Sequence, residues 1–331
     1  MKDLKKIAHY LKYTNSLQNV SFRRFDKFYH DNEGKPVDLI YLCPLCVKNK
    51  TGLHNNWFRE DDIFTLDHYP PSSVGGKNTI MVCKDCNDNA GKDFDYALKD
   101  WIKVQCFNKK IPDSKIPIEL KIKDVKGKYK ADLSLDKSGV INFDEFARYP
   151  LVREAFKKMS QGQAIEQSIT FHPTEMICIY KALFKAAYLY CFEVWGYDFV
   201  FSLAGQGMRG FIFKDEKHPL ANWGTFFHMD GVYPPEGLCY VFKPVEQQAF
   251  LINFRLRSLD IKFECGVSIL VPGAIKEGWE SLKTYQEIVD KNDKFTAAMI
   301  KLPEDLLTKE NNFPYTDVWN ERSTFRIFGE S

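Results

Sequence analysis

Four cysteines in two CxxC pairs are the residues of this chain whose type and spacing indicate a chemical role most clearly. The pairs are Cys43/Cys46 and Cys83/Cys86. Each pair can form a tight turn that points both sulfur atoms at one ion, and four thiolates match the tetrahedral geometry that zinc prefers. We therefore expect all four to bind a structural zinc ion, with free thiols or a redox pair as the alternatives. Such an ion has no open coordination position, so it would brace the fold but could not activate water.

Residues with harder ligand atoms lie between the two pairs and just after them. Asp67 and His68 end a predicted strand, Asn78 begins the next strand, and Asn87 follows Cys86 at the start of a helix. A carboxylate and an amide oxygen suit Mg²⁺, which keeps several waters and takes phosphate oxygens of a substrate in its remaining positions. A neutral imidazole beside such an ion can accept a proton from an attacking water molecule.

Three predicted elements position these side chains. A short strand at 37–42 leads into the first CxxC pair, and a strand at 63–66 delivers Asp67 and His68. Pro and Gly-Gly signals then mark a turn, a returning strand is predicted at 79–82, and a helix runs from residue 86 through 102. The second CxxC pair is therefore expected at the junction between the returning strand and the helix.

The order of these motifs resembles that of a known family, the HNH endonucleases. The matching segments are Cys43-Pro44-Leu45-Cys46, Leu66-Asp67-His68-Tyr69-Pro70, Gly75-Gly76, Asn78 and Cys83-Lys84-Asp85-Cys86-Asn87. The likeness is to the branch whose ββα-metal fold is braced by a four-cysteine zinc. It covers residues 43–92 of the 331.

The resemblance implies a role for individual residues. His68 matches the general base that activates water, and Asp67 matches the acidic neighbour that binds a catalytic Mg²⁺ or Mn²⁺ ion. Asn78 matches the asparagine that braces the hairpin and the base. Asn87 matches a metal ligand that is His in some members, so the chain departs from the commonest form there. Lys92 matches a basic position that can meet a substrate phosphate.

The rest of the chain is predicted to be a second, mixed α+β domain of unassigned fold. At 331 residues the chain exceeds what one hydrophobic core usually serves. We place an HNH domain with an N-terminal extension at 1–107, a linker at 108–115, and a domain for target choice, regulation or partner binding at 116–331. Strands are predicted at 118–123, 129–135, 211–214, 239–243, 249–256 and 262–271, and helices at 4–13, 176–195, 276–290 and 294–300.

The polar face of one predicted strand and one acidic residue each allow more than one interpretation. Asn253, Arg255 and Arg257 alternate along a predicted strand, so their face could contact a nucleic-acid backbone or simply face solvent. Asp95 follows Asn87 by about two helical turns. We interpret Asp95 as an acid on the helix surface or one that supports the metal ligands.

Net charge and hydropathy limit where the protein is expected to be located and which partners it can bind. With 46 Lys and Arg against 44 Asp and Glu, the net charge is +2, so any contact with a polyanion must be local. The first residues contain no apolar segment of signal-peptide length, which predicts a cytoplasmic protein. The apolar segment at 179–200 carries Lys181, Lys185, Glu193 and Asp198, which predicts a buried helix rather than a membrane span.

The resemblance implies a metal-dependent endonuclease that cuts nucleic acid, with double-stranded DNA expected in preference to RNA and, by analogy with the family, restriction or antiphage defence as the expected setting. A single HNH module implies either nicking or a homodimer, and the second domain could bind a regulatory partner. One alternative is a non-catalytic zinc-binding module that recognises nucleic acid or protein. Another is a latent nuclease that a ligand or partner releases.

Overall fold

The computed structural model shows a mixed α+β protein, in which helices alternate with small antiparallel sheets. This agrees with the predicted fold class at that coarse level. The structure describes residues 2–19, 40–48, 50–51, 53–54, 57–58, 64–123, 126–144, 149–150, 153–154, 157, 167–170, 175–214, 224–229, 231, 233–242, 249–272 and 298–301.

The first part of the chain contains one long helix and three hairpins. Helix α1, Lys2–Asn19, extends beyond the predicted helix at 4–13 in both directions. Two small hairpins follow, which are β1 (Tyr41–Leu42) with β2 (Lys50–Thr51), and β3 (Leu53–His54) with β4 (Trp57–Phe58). The third hairpin pairs β5, Phe64–Tyr69, with β6, Asn78–Cys83.

A helical segment follows the third hairpin without a break. It consists of α2 (Lys84–Ala90), a π-helical turn (Gly91–Asp95) and α3 (Tyr96–Asn108). The predicted order of strand, strand and helix is therefore confirmed. The last residues of β6 are buried on both faces, which explains the unbroken apolar run that ends at Cys83.

The described residues of the second part include two larger sheets. In the four-stranded sheet, apolar and charged residues alternate along β7, so one face is buried and the other is exposed. Its strands are β7 (Lys115–Ile122), β8 (Tyr129–Leu135), β9 (Ile141–Asp144) and β10 (Gln167–Thr170), in the order β10-β7-β8-β9. The five-stranded sheet contains β11 (Thr225–His228), β12 (Gly237–Phe242), β13 (Ala249–Arg257), β14 (Glu264–Pro272) and β15 (Ala298–Lys301), in the order β11-β14-β13-β12-β15.

Helix α4, Met176–Trp195, occupies the centre of the fold. It packs against β5, the π-helical turn, α3 and β14, and it is followed by α5 (Tyr197–Phe201) and α6 (Leu203–Lys214). Most of its side chains are buried, as the apolar segment predicts. Within the described ranges, no helix combines the length and apolar character that a membrane crossing needs.

One hydrophobic core joins elements from both sides of the predicted linker at 108–115. It contains side chains from α1 and the β5–β6 hairpin together with side chains from α4 and the five-stranded sheet. The Lys109 ammonium group also donates a hydrogen bond to the carbonyl oxygen of Met229, at 2.6 Å. The hairpin region is therefore positioned by later parts of the chain.

The structure corrects two predicted elements. Residues 211–214 form the end of α6 rather than a strand, because Phe211 and Ile212 are buried as part of a continuous helix. Tertiary packing thus overrides the β preference of an apolar aromatic run. The helix predicted at 294–300 is also wrong where it can be checked, since β15 pairs with β12 from Ala298 onward. The helix predicted at 276–290 lies outside the described residues.

Candidate metal centre and hairpin site

The cysteines of the two CxxC pairs meet in one cluster. The Sγ atoms of Cys43, Cys46, Cys83 and Cys86 all lie within 4.8 Å of one another. A tetrahedral zinc ion with Zn–S bonds of about 2.3 Å separates its sulfur ligands by about 3.8 Å. The Sγ atoms of Cys46 and Cys83 are 3.9 Å apart, which fits that geometry. The cluster could therefore hold a metal ion such as zinc.

Backbone hydrogen bonds shape the first CxxC turn. The N–H of Val47 donates to the carbonyl oxygen of Cys43 at 2.9 Å, and Val47 itself has a left-handed backbone with φ of +56°. The N–H of Lys48 donates to Sγ of Cys46 at 3.5 Å. The N–H of Cys83, at the end of β6, donates to Sγ of Cys43 at 3.3 Å. Two of these three donors, the N–H groups of Lys48 and Cys83, therefore face sulfur atoms of the first CxxC pair.

The thiol environments differ within the cluster. Burial raises the pKa of Cys43 well above its usual range, and hydrogen bonds of its thiol with the sulfur atoms of Cys46 and Cys83 add to that effect. In contrast, the hydrogen bond with Cys43 is the main cause that lowers the pKa of Cys83 to about 7. Four soft donor atoms, of which one readily becomes a thiolate, form the kind of ligand set that selects zinc over Mg²⁺.

The β5–β6 register places Asp67 and His68 on opposite faces of the hairpin. Asp67 is paired with Ile80, His68 with Thr79, and Tyr69 with Asn78. Successive side chains on a strand point to opposite faces, so Asp67 shares a face with Tyr69 whereas His68 shares the other with Thr79. The Thr79 hydroxyl lies 3.5 Å from Nε2 of His9 on α1.

The remaining predicted site residues lie on or next to the same hairpin. Asn78 is exposed at the start of β6, and His68 is partly buried. Asn87 is partly buried in α2, a helix that packs against both strands of the hairpin. Lys92 is exposed in the π-helical turn. The structure thus brings these residues onto one hairpin and the helical segment after it.

Asp67 is part of a buried ion cluster. Its side chain is 6% exposed, and the Lys185 side chain on α4 is fully buried. The Lys185 ammonium donates to the two carboxylate oxygens of Asp67 at 3.2 Å and 2.9 Å. It also donates to Oδ2 of Asp95 at 2.5 Å. Helix α4 therefore holds both the hairpin and the π-helical turn through one lysine.

The ion cluster contains more negative than positive charge. Burial alone would lower the pKa of Lys185, but Asp67 and Asp95 outweigh it and raise that pKa, so the ammonium stays charged. Burial raises the pKa of Asp95, although Lys185 acts in the opposite direction. In the part of the chain that the structure describes, Oδ1 of Asp95 is buried and has no hydrogen-bond partner.

The sequence alone did not single out Lys185 as a site residue. Its position inside an apolar helix argues against a membrane span and is also a signal for a buried ion pair. The Asp95 side chain is 13% exposed and pairs with Lys185, so of the two interpretations the surface one is wrong. The π-helical turn that ends at Asp95 changes the helical register, so α-helical spacing from Asn87 does not predict its direction.

A second contact fixes the same face of the hairpin to α4. The Tyr69 hydroxyl donates a hydrogen bond to Glu193, which also lies 3.7 Å from the ammonium group of Lys12 on α1. Burial is the main cause that raises the pKa of Tyr69, so its hydroxyl remains a donor. The hairpin face with Asp67 and Tyr69 is therefore covered by α4.

The Gly-Gly turn before β6 is required by close packing. A Cβ atom on Gly76 would lie 1.6 Å from the carbonyl oxygen of Pro70, which no side chain can tolerate. Gly75 has φ of +90°, and a Cβ there would lie 3.2 Å from Cβ of Arg257 on β13. The turn therefore needs glycine both for its own shape and for its packing against the five-stranded sheet.

Comparisons of the chain with protein-family models, with curated proteins and with solved structures found no match. The fold and the site define a mixed α+β protein with a four-cysteine site that could hold a metal such as zinc. The hairpin with Asp67 and His68 and the helix with Asn87 lie directly beside that site.

Proposed function

We propose that this protein is a metal-dependent endonuclease of the HNH type. One observation carries the proposal: the β5–β6 hairpin runs directly into α2, and their junction carries the second half of the cysteine cluster. Asp67, His68 and Asn87 lie on that framework. This order is the one expected of a zinc-braced ββα-metal fold.

Each residue then has a distinct task. The four cysteines hold zinc and stabilise the hairpin–helix junction. Asp67 and Asn87 would hold Mg²⁺ or Mn²⁺, which supplies charge stabilisation for phosphodiester hydrolysis. His68 accepts the proton of the attacking water, Asn78 braces the hairpin, and Lys92 meets a substrate phosphate.

The ion pair between Asp67 and Lys185 is compatible with a metal-binding role for Asp67. An ionised carboxylate has about four acceptor positions on its two oxygens, so it can accept from an ammonium and still bind a cation. Lys185 would then fix the orientation of the carboxylate. The same contact lowers the negative charge that a metal would meet, which supports a nuclease that is latent until substrate or a partner binds.

Double-stranded DNA is the substrate that we propose, in restriction or antiphage defence in the cytoplasm, where reducing conditions keep cysteines available for metal. The elements after residue 116 would choose the target or receive a regulatory partner. With one candidate site in each chain, the protein either nicks one strand or acts as a homodimer that cuts both.

A non-catalytic zinc-binding module is the second candidate, and the burial of Asp67 favours it. A carboxylate that is 6% exposed and accepts from Lys185 at both oxygens has a structural role that needs no catalysis. In that case the hairpin residues would serve as a scaffold for binding nucleic acid or protein.

Incubation of the zinc-loaded protein with supercoiled plasmid and Mg²⁺ or Mn²⁺ separates the two candidates. The nuclease proposal predicts nicked or linear plasmid with wild type and none with His68→Ala. Binding of plasmid without cleavage by wild type would support the non-catalytic module. Equal zinc content and equal melting temperature of both proteins would exclude misfolding as the cause.

A further inference from the structure

A groove of about 240 Å³ lies between the end of the β5–β6 hairpin and the five-stranded sheet. Residues 75–78 of the turn form one wall, and Glu236, Arg255 and Arg257 form the other. Tyr190 of α4 also lines it. The groove thus adjoins the end of the hairpin that carries His68, one residue before Tyr69 in β5.

Positive charge is concentrated in this groove. Among the described residues, Lys77, Arg255 and Arg257 line it together with the carboxylate of Glu236, and Glu264 pairs with the two arginines. Three cations against two carboxylates leave a local excess of one positive charge, in a chain whose net charge is only +2. Such a groove attracts anions by its local potential although the chain as a whole is nearly neutral.

The sheet holds its two arginines in defined positions. Glu264 on β14 accepts from Nη1 of Arg255 at 3.2 Å and from Nε of Arg257 at 2.6 Å. The Arg255 guanidinium also lies 4.1 Å from the ring centroid of Tyr233. Glu264 therefore orients both guanidinium groups, and Glu236 also lies 4.0 Å from Nε of Arg255.

Two of the cations keep donors for a ligand. Among the residues whose placement the structure gives, Glu264 is the only hydrogen-bond partner of Arg257, which leaves both terminal nitrogens available. Lys77 is exposed and makes no ion pair with any described residue. A guanidinium with two terminal nitrogens can bind two phosphate oxygens at once.

We infer that this groove binds backbone phosphates of the nucleic acid that is cut at the adjacent hairpin. The inference rests on the proposed function, because it assigns the groove to the same substrate. Lys77 and Arg257 contact the phosphates, and Arg255 is a positioning residue stacked on Tyr233. Contacts of this kind fix the register of the substrate and carry no sequence information.

The test uses binding in the cleavage-deficient His68→Ala protein, so that substrate stays intact. Kd for a fluorescein-labelled DNA duplex is measured by anisotropy over a range of salt concentrations. Lys77→Ala/Arg257→Ala should raise Kd severalfold and reduce the slope of log K against log salt by about 2, or about 1 for each lost contact. Lys77→Ala alone, which leaves β13 unchanged, should give about half of that reduction.

Lys99→Ala/Lys121→Ala is the charge-matched control, since both lysines are exposed and neither lines the groove. The inference predicts that this control keeps the slope of the His68→Ala parent. Equal slopes for groove and control variants would overturn it, as would absence of duplex binding. Inorganic phosphate and free nucleotides are tested separately as competitors. If either binds tightly while the groove variants bind the duplex as well as their parent does, the inference is also overturned.

Failure of the proposed function gives a different result. If wild type does not cut DNA with Mg²⁺ or Mn²⁺ but the groove variants still show a smaller slope of log K against log salt, the groove binds nucleic acid in a protein that is not a nuclease. If wild type cuts and the slopes are unchanged, the nuclease stands and the assignment of the groove is wrong.

Discussion

Two buried polar clusters lie next to the β5–β6 hairpin, and they differ in how the chain builds them. The cysteine cluster joins two short CxxC turns, each encoded within a few residues. The ion cluster joins Lys185 to Asp67 and Asp95, which are 118 and 90 residues away in sequence. Local turns build the first cluster, whereas the packing of α4 against the hairpin and the π-helical turn builds the second.

The two clusters also differ in what completes them. Four thiol groups this close together could hold a metal ion such as zinc, and such an ion would stabilise the first cluster. The second cluster already contains its cation, the Lys185 ammonium. A metal site in the first cluster would therefore be stabilised by a ligand, whereas the second is stabilised by the chain itself, and each leads to its own predictions.

Loss of a cysteine ligand should have the largest effect. Zinc binding contributes about 10–16 kcal/mol in small zinc domains, which is comparable to the whole stability of a typical domain, about 5–15 kcal/mol. Cys46→Ala should therefore lose bound zinc and unfold the hairpin–helix region. Zinc content by mass spectrometry and thermal melting by circular dichroism measure the two effects.

Cys106→Ala is the matched control, because Cys106 is also buried but lies outside the cluster. It should keep zinc and lose about 1 kcal/mol of stability, as for the loss of a small apolar group. If Cys46→Ala retained the zinc content and melting temperature of the control, the cysteine cluster would not be a metal site.

Removal of the cation from the ion cluster should have the next largest effect. Lys185→Met leaves two buried carboxylates without their partner, and breaking a buried pair in this way costs about 3–5 kcal/mol. Urea unfolding of wild type and variant measures the difference in the free energy of unfolding. Zinc content should stay unchanged, which separates this cluster from the cysteine cluster.

The triple variant Lys185→Met/Asp67→Asn/Asp95→Asn sharpens that prediction. It removes all three charges, so it should recover most of the stability lost in Lys185→Met. A cost below about 1 kcal/mol for Lys185→Met alone would mean that the ion cluster is accessible to water and not held as the structure indicates.

The smallest predicted effect concerns the pH dependence of Asp95. Burial raises the pKa of its carboxyl above the usual value of 3.8. The folded state then binds more protons than the unfolded chain, and this proton binding stabilises the folded state at low pH. The stabilisation is complete below pH 3.8 and is lost as the pH rises through the pKa that Asp95 has in the folded protein. Asp95→Asn should therefore gain stability relative to wild type as the pH rises above 3.8. Urea unfolding across that range tests it, and parallel curves for both proteins would contradict it.

The comparison of the two clusters also explains what sequence could predict. The meeting of the four cysteines and the strand–strand–helix order follow from spacing and from alternation over short windows, and the structure shows both. The contacts of Lys185 could not be predicted, because no local pattern states which buried carboxylate meets a lysine so far away in sequence. The predicted strand at 211–214 is wrong for a related reason, since the helix that contains it is fixed by packing.

We propose that the hairpin and α2 form a nuclease site for a hard metal ion beside the cysteine cluster. Asn87 is a proposed ligand of that ion, so its substitution tests the proposal most directly. The measurement is the Mn²⁺ concentration that gives half-maximal plasmid cleavage by wild type, Asn87→Ala and Asn89→Ala, with zinc content held equal. Asn89 is exposed in the same helix and serves as the control. Asn87→Ala should require at least about tenfold more Mn²⁺, because loss of a residue that only supports a metal ligand already costs about 10–100-fold in metal affinity, whereas Asn89→Ala should match wild type. The same Mn²⁺ requirement in all three proteins, or no cleavage by wild type, would contradict it.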